Sequence, residues 1–358
     1  MINKKTEVAI VGGGVIGMLT ARVLVEAGLQ VCLLEKSQIA QESTWAGGGI
    51  LTPLYPWRYP HAVNTLAFRS LLLYPEIAAA LQAISGVDPE YIQSGLLMDE
   101  RDVNEEGYQW LKENHQSYER TTAQAQGLID VPGDFHYLKF PQICQVRNPR
   151  FASALQQTIL SLGVDIQTNC LVQDITSGES GFRIHTQSGE VRADKVIVCA
   201  GAWSGKLLAE SGLELLVKPM RGQMLLFKAV PSLLQSIILS QGKYIIPRKD
   251  GRILVGSTME DVGFDKNTTQ AAREELINFI DEVLPALNQY PIEEHWSGLR
   301  PASPDGTPFI CQHPKIDNLF INSGHFRNGF ILGPASAELM ADLLLNNTPK
   351  IDPTPYQL

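Results

Sequence analysis

What the chain lacks narrows what it can be. None of its apolar runs approaches the ~20 residues that cross a bilayer, so no membrane span is expected. Cysteine is sparse: Cys32, Cys144, Cys170, Cys199 and Cys311 are scattered, odd in number and never spaced C-x-x-C. That usage argues against a disulfide framework or a zinc site and suits a reducing cytoplasm. The seven histidines form no H-x-x-x-H or H-E-x-x-H pattern, so no metal is expected. Basic runs are missing and the formal net charge is -9. Nucleic-acid binders concentrate Lys and Arg, so no nucleic-acid partner is expected either. The apolar N-terminal region is preceded by Glu7, interrupted by glycines and followed by Arg22 and Glu26, which is not the layout of a secretory signal.

The residues that are present describe an ordered α/β chain. Apolar residues make up 44% and charged residues 19%, a balance that buries a large core. A length of 358 residues exceeds one ordinary core and predicts two domains sharing an active site.

Residues 7–11 (E-V-A-I-V) read as a buried strand, and residues 15–26 carry apolar positions at helical spacing, stopped by Gly28. Between them V-G-G-G-V-I-G sets Gly12, Gly14 and Gly17 in G-x-G-x-x-G order, with Val15 and Ile16 opening the helix. The first glycine permits the tight turn, the second lets backbone approach a pyrophosphate, and the third lets helix pack on strand. The helix start adds free N–H groups and partial positive charge. A second strand, 30–34, ends in Glu35, eighteen residues after Gly17 and placed to accept hydrogen bonds from a ribose. The pattern predicts dinucleotide binding and by itself leaves NAD and FAD open.

A second glycine run, W-A-G-G-G-I-L at 45–51, favours FAD. The isoalloxazine is a broad plane, and backbone without Cβ atoms at Gly48 and Gly49, continuing into Ile50, can approach it closely. Ser43 and Thr44 add hydroxyls on the phosphate side. These stretches, together with L-L-E-K, V-I-V-C-A-G-A-W-S, Y-I-I-P-R, G-L-R-P and G-H-F-R-N-G, resemble the flavin-dependent glycine oxidases. Those enzymes belong to the D-amino-acid oxidase family and include the branch that supplies thiamine biosynthesis. The resemblance runs over nearly the whole chain in the family's order.

The resemblance implies an α/β FAD-binding Rossmann-like domain interleaved with an α+β, mainly antiparallel substrate-binding domain. The layout follows as 1–88, 146–217 and 302–358 for the first and 89–145 and 218–301 for the second. Helical periodicity predicts helices at 151–162 and near 271–283, and Pro334 near the start of one running through Leu345. Asp250-Gly251 predicts a two-residue hairpin turn that sets Tyr244 opposite Ser257 and puts Met259 on the same face.

The resemblance implies Arg300 in G-L-R-P as the carboxylate clamp, a role a guanidinium can fill with two parallel hydrogen bonds. Arg327 is the second candidate, and the resemblance implies that Tyr244 donates its hydroxyl to the carboxylate and Met259 narrows the cavity. For the cofactor the resemblance implies Lys36, Val172, His325, Phe326, Asn328, Gly329, Phe330 and Ile331 as further contacts. Covalent sarcosine-oxidase relatives carry a cysteine in the G-L-R-P segment; none stands here, so FAD is expected to be non-covalent. The implied reaction takes glycine, sarcosine or small D-amino acids to an imine by hydride transfer from Cα to flavin N5, with oxygen as acceptor and peroxide as product. A homotetramer is implied as well. The rival readings are a D-proline-like dehydrogenase with a quinone or protein acceptor, a tRNA-modifying flavoprotein and a non-catalytic flavin module.

Overall fold

In the computed structural model, which describes residues 2–128, 131 and 135–358, alternation along one strand divides the first core in two. Val8 and Ile10 of the strand Ile2–Val11 point into one apolar cluster and Ala9 and Val11 into another, as period-two geometry requires. Leu33 and its neighbours Cys32 and Leu34 repeat the division in the strand Val31–Leu34. Burial on both faces explains why these strands read as continuous apolar runs.

Parallel pairing sets the order Asp165–Gln167, Val31–Leu34, Ile2–Val11, Gly189–Val198, Leu319–Ser323 across the sheet. The first strand in sequence therefore lies at the centre, and the connections turn outward on either side of it. Ligands of doubly wound sheets bind at the carboxyl ends of the strands at such a reversal. Helices Val15–Glu26, His61–Ser85, Asn148–Ser161 and Gly329–Leu345 cover one face. Strands Val172–Gly178 and Gly181–Thr186 extend the sheet as an antiparallel ribbon.

A second sheet draws on residues 96–140 and 218–302 in the strand order Ile292–Ala302, Lys218–Lys228, Arg252–Gly256, Lys243–Pro247, Ile237–Ser240, Leu96–Asp99, His136–Phe140, Glu119–Thr122. All neighbours are antiparallel except Ile237–Ser240 with Leu96–Asp99. Leu225, Ile245 and Val255 pack under the helix Gln270–Val283, whereas Met224, Tyr244 and Ile246 turn to the opposite face, toward the first sheet. No helix among the described residues is long and apolar enough to cross a membrane.

Two expectations from the sequence are corrected. Tyr244 pairs with Gly256 rather than Ser257. The loop holds three residues, Lys249 to Gly251: Arg248 and Arg252 close it, Gly251 N–H bonds to the Arg248 carbonyl (3.0 Å), and Gly251 sits at φ 88°. A three-residue loop ending in a left-handed glycine is the next most favoured hairpin after the two-residue turn. The strand itself ends at Gly256, so Met259 lies beyond it.

The C-terminal helix begins at Gly329, so Pro334 lies inside it. A proline has no N–H to offer the carbonyl four residues back. Here that carbonyl, on Phe330, accepts the hydroxyl of fully buried Tyr74 (2.6 Å), and the next amide, Ala335, donates to Ser70 (3.0 Å). Tyr74→Phe leaves the Phe330 carbonyl buried and unpaired, which should cost about 1–3 kcal/mol. Urea unfolding of the purified protein would show it as a lower midpoint with unchanged slope; an unmoved midpoint would mean another donor fills the gap.

Candidate active site

A cavity of about 400 Å³ opens between the two sheets. Of the residues singled out in the sequence, Gly12, Gly14, Val15, Ile16, Glu35, Lys36, Ser43, Thr44, Gly48, Gly49, Ile50, Val172, Tyr244, Arg300 and each residue from His325 to Ile331 line it. Gly17 and Met259 do not. A Cβ on Gly17 would stand 2.0 Å from the Gly12 carbonyl, so this glycine serves the packing of helix on strand. Met259 lies on the outer side of Arg300, 41% exposed, with its Sδ 3.9 Å from Nη1. The thioether on the cavity wall is that of Met224, 3.9 Å from the Tyr244 hydroxyl.

One end of the cavity lies at the reversal point of the first sheet. Glu35 Oε2 accepts Gly13 N–H (2.8 Å), while Oε1 takes the N–H and hydroxyl of Ser37 (3.0 and 3.2 Å). A carboxylate has about four acceptor positions, so this one stays oriented and retains capacity for a ribose hydroxyl. Thr44 Oγ1 accepts the Val15 N–H (2.9 Å). One helix-start donor is therefore satisfied within the chain, which the sequence did not indicate.

The second glycine run is confined on both sides by the protein itself. A Cβ on Gly49, at φ 74°, would meet the Val146 carbonyl at 2.2 Å, and one on Gly48 would meet the Tyr244 ring at 3.1 Å. Close approach to a flavin was the expected reason for these glycines; passage between the two sheets is a sufficient reason by itself. Arg248, 8% exposed, holds the run in place by donating to the Gly48 carbonyl (2.8 Å), Gln145 Oε1 (2.7 Å) and the Val146 carbonyl (3.1 Å). Burial pushes its guanidinium down to about 10. The sequence signal for Arg248 was Y-I-I-P-R, read as part of a resemblance without a role.

The C-terminal helix points its start at the cavity. Asn328 occupies the N-cap, 3% exposed, and its Nδ2 has no partner among the described residues. A buried amide donor without a partner beside free helix N–H groups fits a ligand rich in acceptors, as the pyrimidine edge of a flavin is. His325, 1% exposed, lies 3.0 Å from Ser336 Oγ through Nε2. Burial pushes this imidazole down to about 3, so it is neutral at any working pH.

Arg300, on the strand Ile292–Ala302, extends over the second sheet. Its Nη2 donates to Ser257 Oγ (2.5 Å) and its Nη1 to the Thr258 carbonyl (3.2 Å). Burial lowers its pKa and nearby Tyr244 opposes that shift. Arg327 donates to the Gly242 carbonyl (3.0 Å). Among the described residues neither arginine pairs with a carboxylate. The sequence points to Ser257 only as a register partner of Tyr244 and to Thr258 not at all, because their contact with Arg300 crosses strands. No cluster of three or more metal-ligating side chains occurs among the described residues.

A family model described as DAO, FAD dependent oxidoreductase, matches residues 7–343. The glycine oxidase of Pseudomonas aeruginosa is 42% identical over 355 residues, which cover 98% of this chain and 97% of that one. The bifunctional protein ThiO/ThiG of Trichormus variabilis is 32% identical, matching 97% of this chain to 53% of its own length. The crystal structure of glycine oxidase from Geobacillus kaustophilus superposes with a TM-score of 0.92 at 29% identity, covering 99% of each chain.

The neutral state of His325 has a consequence for stability. An unfolded imidazole takes up a proton near pH ~6.5, whereas the buried one resists until about 3. Between those values the unfolded state binds more protons, so stability falls as pH falls. Between pH 6.5 and 5, His325→Gln should lose about 2 kcal/mol less stability than wild type. Denaturant midpoints at the two pH values measure this, and equal losses would show that the imidazole is not held neutral.

Proposed function

The chain belongs to the DAO family of FAD dependent oxidoreductases, and on that premise we propose that it deaminates glycine oxidatively. Glycine, oxygen and water give glyoxylate, ammonia and hydrogen peroxide by way of an imine. Sarcosine and small D-amino acids present the same carboxylate and amine and are further substrates. The observation that carries this reading is the pair Arg300 and Arg327, both lining the cavity and neither matched by a carboxylate among the described residues. An uncompensated pair of cations beside a cavity suits an anionic ligand. The similarity to glycine oxidases over the whole chain supports glycine as that ligand.

FAD, held by Glu35 at the strand reversal and by Asn328 at the start of the C-terminal helix, would when bound supply the two-electron acceptor for the hydrogen on the amine's Cα. The chain's own residues position the reactant. Arg300 receives the carboxylate with the N–H groups that Ser257 and Thr258 leave free. Tyr244, whose hydroxyl lies beside the Met224 thioether (3.9 Å) and next to Arg300, donates to the same carboxylate. Arg327 adds a second positive charge. The acidic side chains lining the cavity are Glu35 and Glu42, and Glu42 is engaged by Lys36 at 2.8 Å. With His325 neutral and bonded, the amine must arrive unprotonated so that its lone pair stabilises the imine.

FAD is held without a covalent bond. Cys170 and Cys199 line the cavity, but burial raises both thiols, and it is the thiolate that reacts. The cofactor unit comprises 1–88, 146–217 and 302–358, and the substrate unit 89–145 and 218–301, a division supported by the membership of the two large sheets. The protein works in the cytoplasm as a homo-oligomer, a tetramer by resemblance; light scattering tests the assembly. The ThiO/ThiG similarity supports a place in thiamine biosynthesis.

The direct test is the visible spectrum after anaerobic mixing with glycine and then admission of air. Bleaching and recovery with stoichiometric peroxide are expected; a flavin that glycine does not bleach would overturn the substrate. Recovery only with a quinone would establish a dehydrogenase. Arg300→Lys replaces a planar fork by a point charge. It should lower kcat/KM for glycine by about ten- to hundredfold, corresponding to about 1.5–3 kcal/mol for a charged hydrogen bond, with the flavin spectrum unchanged. Wild-type kinetics in that variant would remove Arg300 from the site.

A further inference from the structure

Arg300 rests on an opening in the second sheet that a single residue creates. The strands Lys218–Lys228 and Ile292–Ala302 pair so that Met220 faces Arg300 and Gly222 faces Gly298. Period-two alternation puts Gly298 and Arg300 on one face, and Gly222 is the diagonal neighbour of Arg300 across the strand. A Cβ on Gly222 would stand 2.0 Å from Nη2, 2.1 Å from Nη1 and 2.3 Å from Cζ of Arg300. The guanidinium thus occupies the volume that any side chain at 222 would take.

We propose that Gly222 is a positioning residue for substrate binding: its bare backbone seats the Arg300 guanidinium, and Ser257 with Thr258 fixes the orientation in that seat. The inference rests on the reading of Arg300 as the carboxylate clamp. Each terminal nitrogen of Arg300 carries two N–H groups, one of them given to Ser257 Oγ or the Thr258 carbonyl. Of the remaining N–H groups, that of Nη1 has only a long contact with the Met259 thioether (3.9 Å), which a carboxylate can displace. Rotation or lift of the group by an ångström breaks that pairing, because a bidentate contact depends on both donors together.

The segment carrying Ser257 and Thr258 is itself secured. Arg221, beside Gly222 and 3% exposed, exchanges two backbone hydrogen bonds with Glu260 (2.9 Å each) and binds its carboxylate through Nη2 (2.6 Å). Thr258 Oγ1 accepts the Gln223 N–H (3.0 Å) and donates to Glu260 Oε1 (2.6 Å). Seat and orienting groups are therefore parts of one rigid unit, with Gly222 as the member that touches the guanidinium directly. Substitution at 222 is a selective perturbation for a further reason. The backbone there does not lie in the left-handed region, and the three atoms nearest to an added methyl all belong to the Arg300 guanidinium.

The test compares Gly222→Ala with Arg300→Lys in the FAD-loaded enzyme. Gly222→Ala should keep its flavin spectrum and raise KM for glycine and Kd for acetate at least tenfold. Loss of acetate binding in Arg300→Lys with wild-type acetate binding in Gly222→Ala would overturn the seat and leave the clamp standing. Wild-type acetate binding in both would remove the clamp. A stability cycle covers the case in which Gly222→Ala folds poorly. Adding Gly222→Ala to Arg300→Ala should lower Tm by less than half of what it does in wild type, because the colliding group is gone. An equal drop in both backgrounds would show that Gly222 serves some other packing and would refute the proposal.

Discussion

The arrangement depends on one confined passage, where backbone 47–49 runs between the two sheets with no room for side chains. Asn148 closes on it from one side, the Val146 carbonyl from below Gly49, and Tyr244 with Ile246 from the second sheet. Arg248 then binds Gly48, Gln145 and Val146 together across that passage. A buried guanidinium with only neutral acceptors is unfavourable in isolation, so its retention marks a junction where several backbone carbonyls would otherwise lie unpaired. The cavity owes its shape to this junction, because the same residues that pin the two units together are its walls. Tyr244 illustrates the economy of the arrangement: its ring packs against Gly48 while its hydroxyl lies beside the Met224 thioether on the cavity wall.

The arginines in and around the cavity divide by the partners they have. Arg221 lies between Glu260 and Asp265, both at 2.6 Å, and is a structural ion pair by any reading. Arg248 serves carbonyls and an amide oxygen. Arg300 and Arg327 line the cavity and, among the described residues, pair with no carboxylate. Removing water from an unpaired cation is expensive unless an anion arrives. The difference between these environments is invisible in the residue name.

Much of this was legible in the sequence, for identifiable reasons. The strand–glycine–helix order at 7–26, the acid at Glu35 and the terminal helix are local patterns whose spacing follows from backbone geometry, and the structure carries them. The hairpin register was not legible: Asp250-Gly251 suits either a two-residue turn or the end of a three-residue loop, and that choice is made by how Tyr244 and Leu254 pack on the sheet face. Pro334 read as a helix start because proline favours the first turn. Its tolerance deeper in the helix depends on Tyr74 and Ser70, some 260 residues away in sequence. The roles of Ser257, Thr258 and Gly222 were silent for the same reason, since each acts only through a neighbour on another strand.

Positioning, rather than proton transfer by a side chain, is what this cavity is built to do. A general base needs a pKa near working pH and reach to the substrate. The candidates fail on one count or the other: His325 is held neutral by burial and bonded to Ser336, and Glu35 is bound to Gly13 and Ser37 beside the strand reversal. What remains near Arg300 is a set of donors and apolar walls at fixed distances. Oxidation of an unprotonated amine requires little more, because the nitrogen lone pair drives loss of the Cα hydrogen once carbon and acceptor are aligned. Backbone glycines and cross-strand hydroxyls can therefore matter to rate as much as any charged group, since an ångström of misplacement in such a site is felt directly in the barrier.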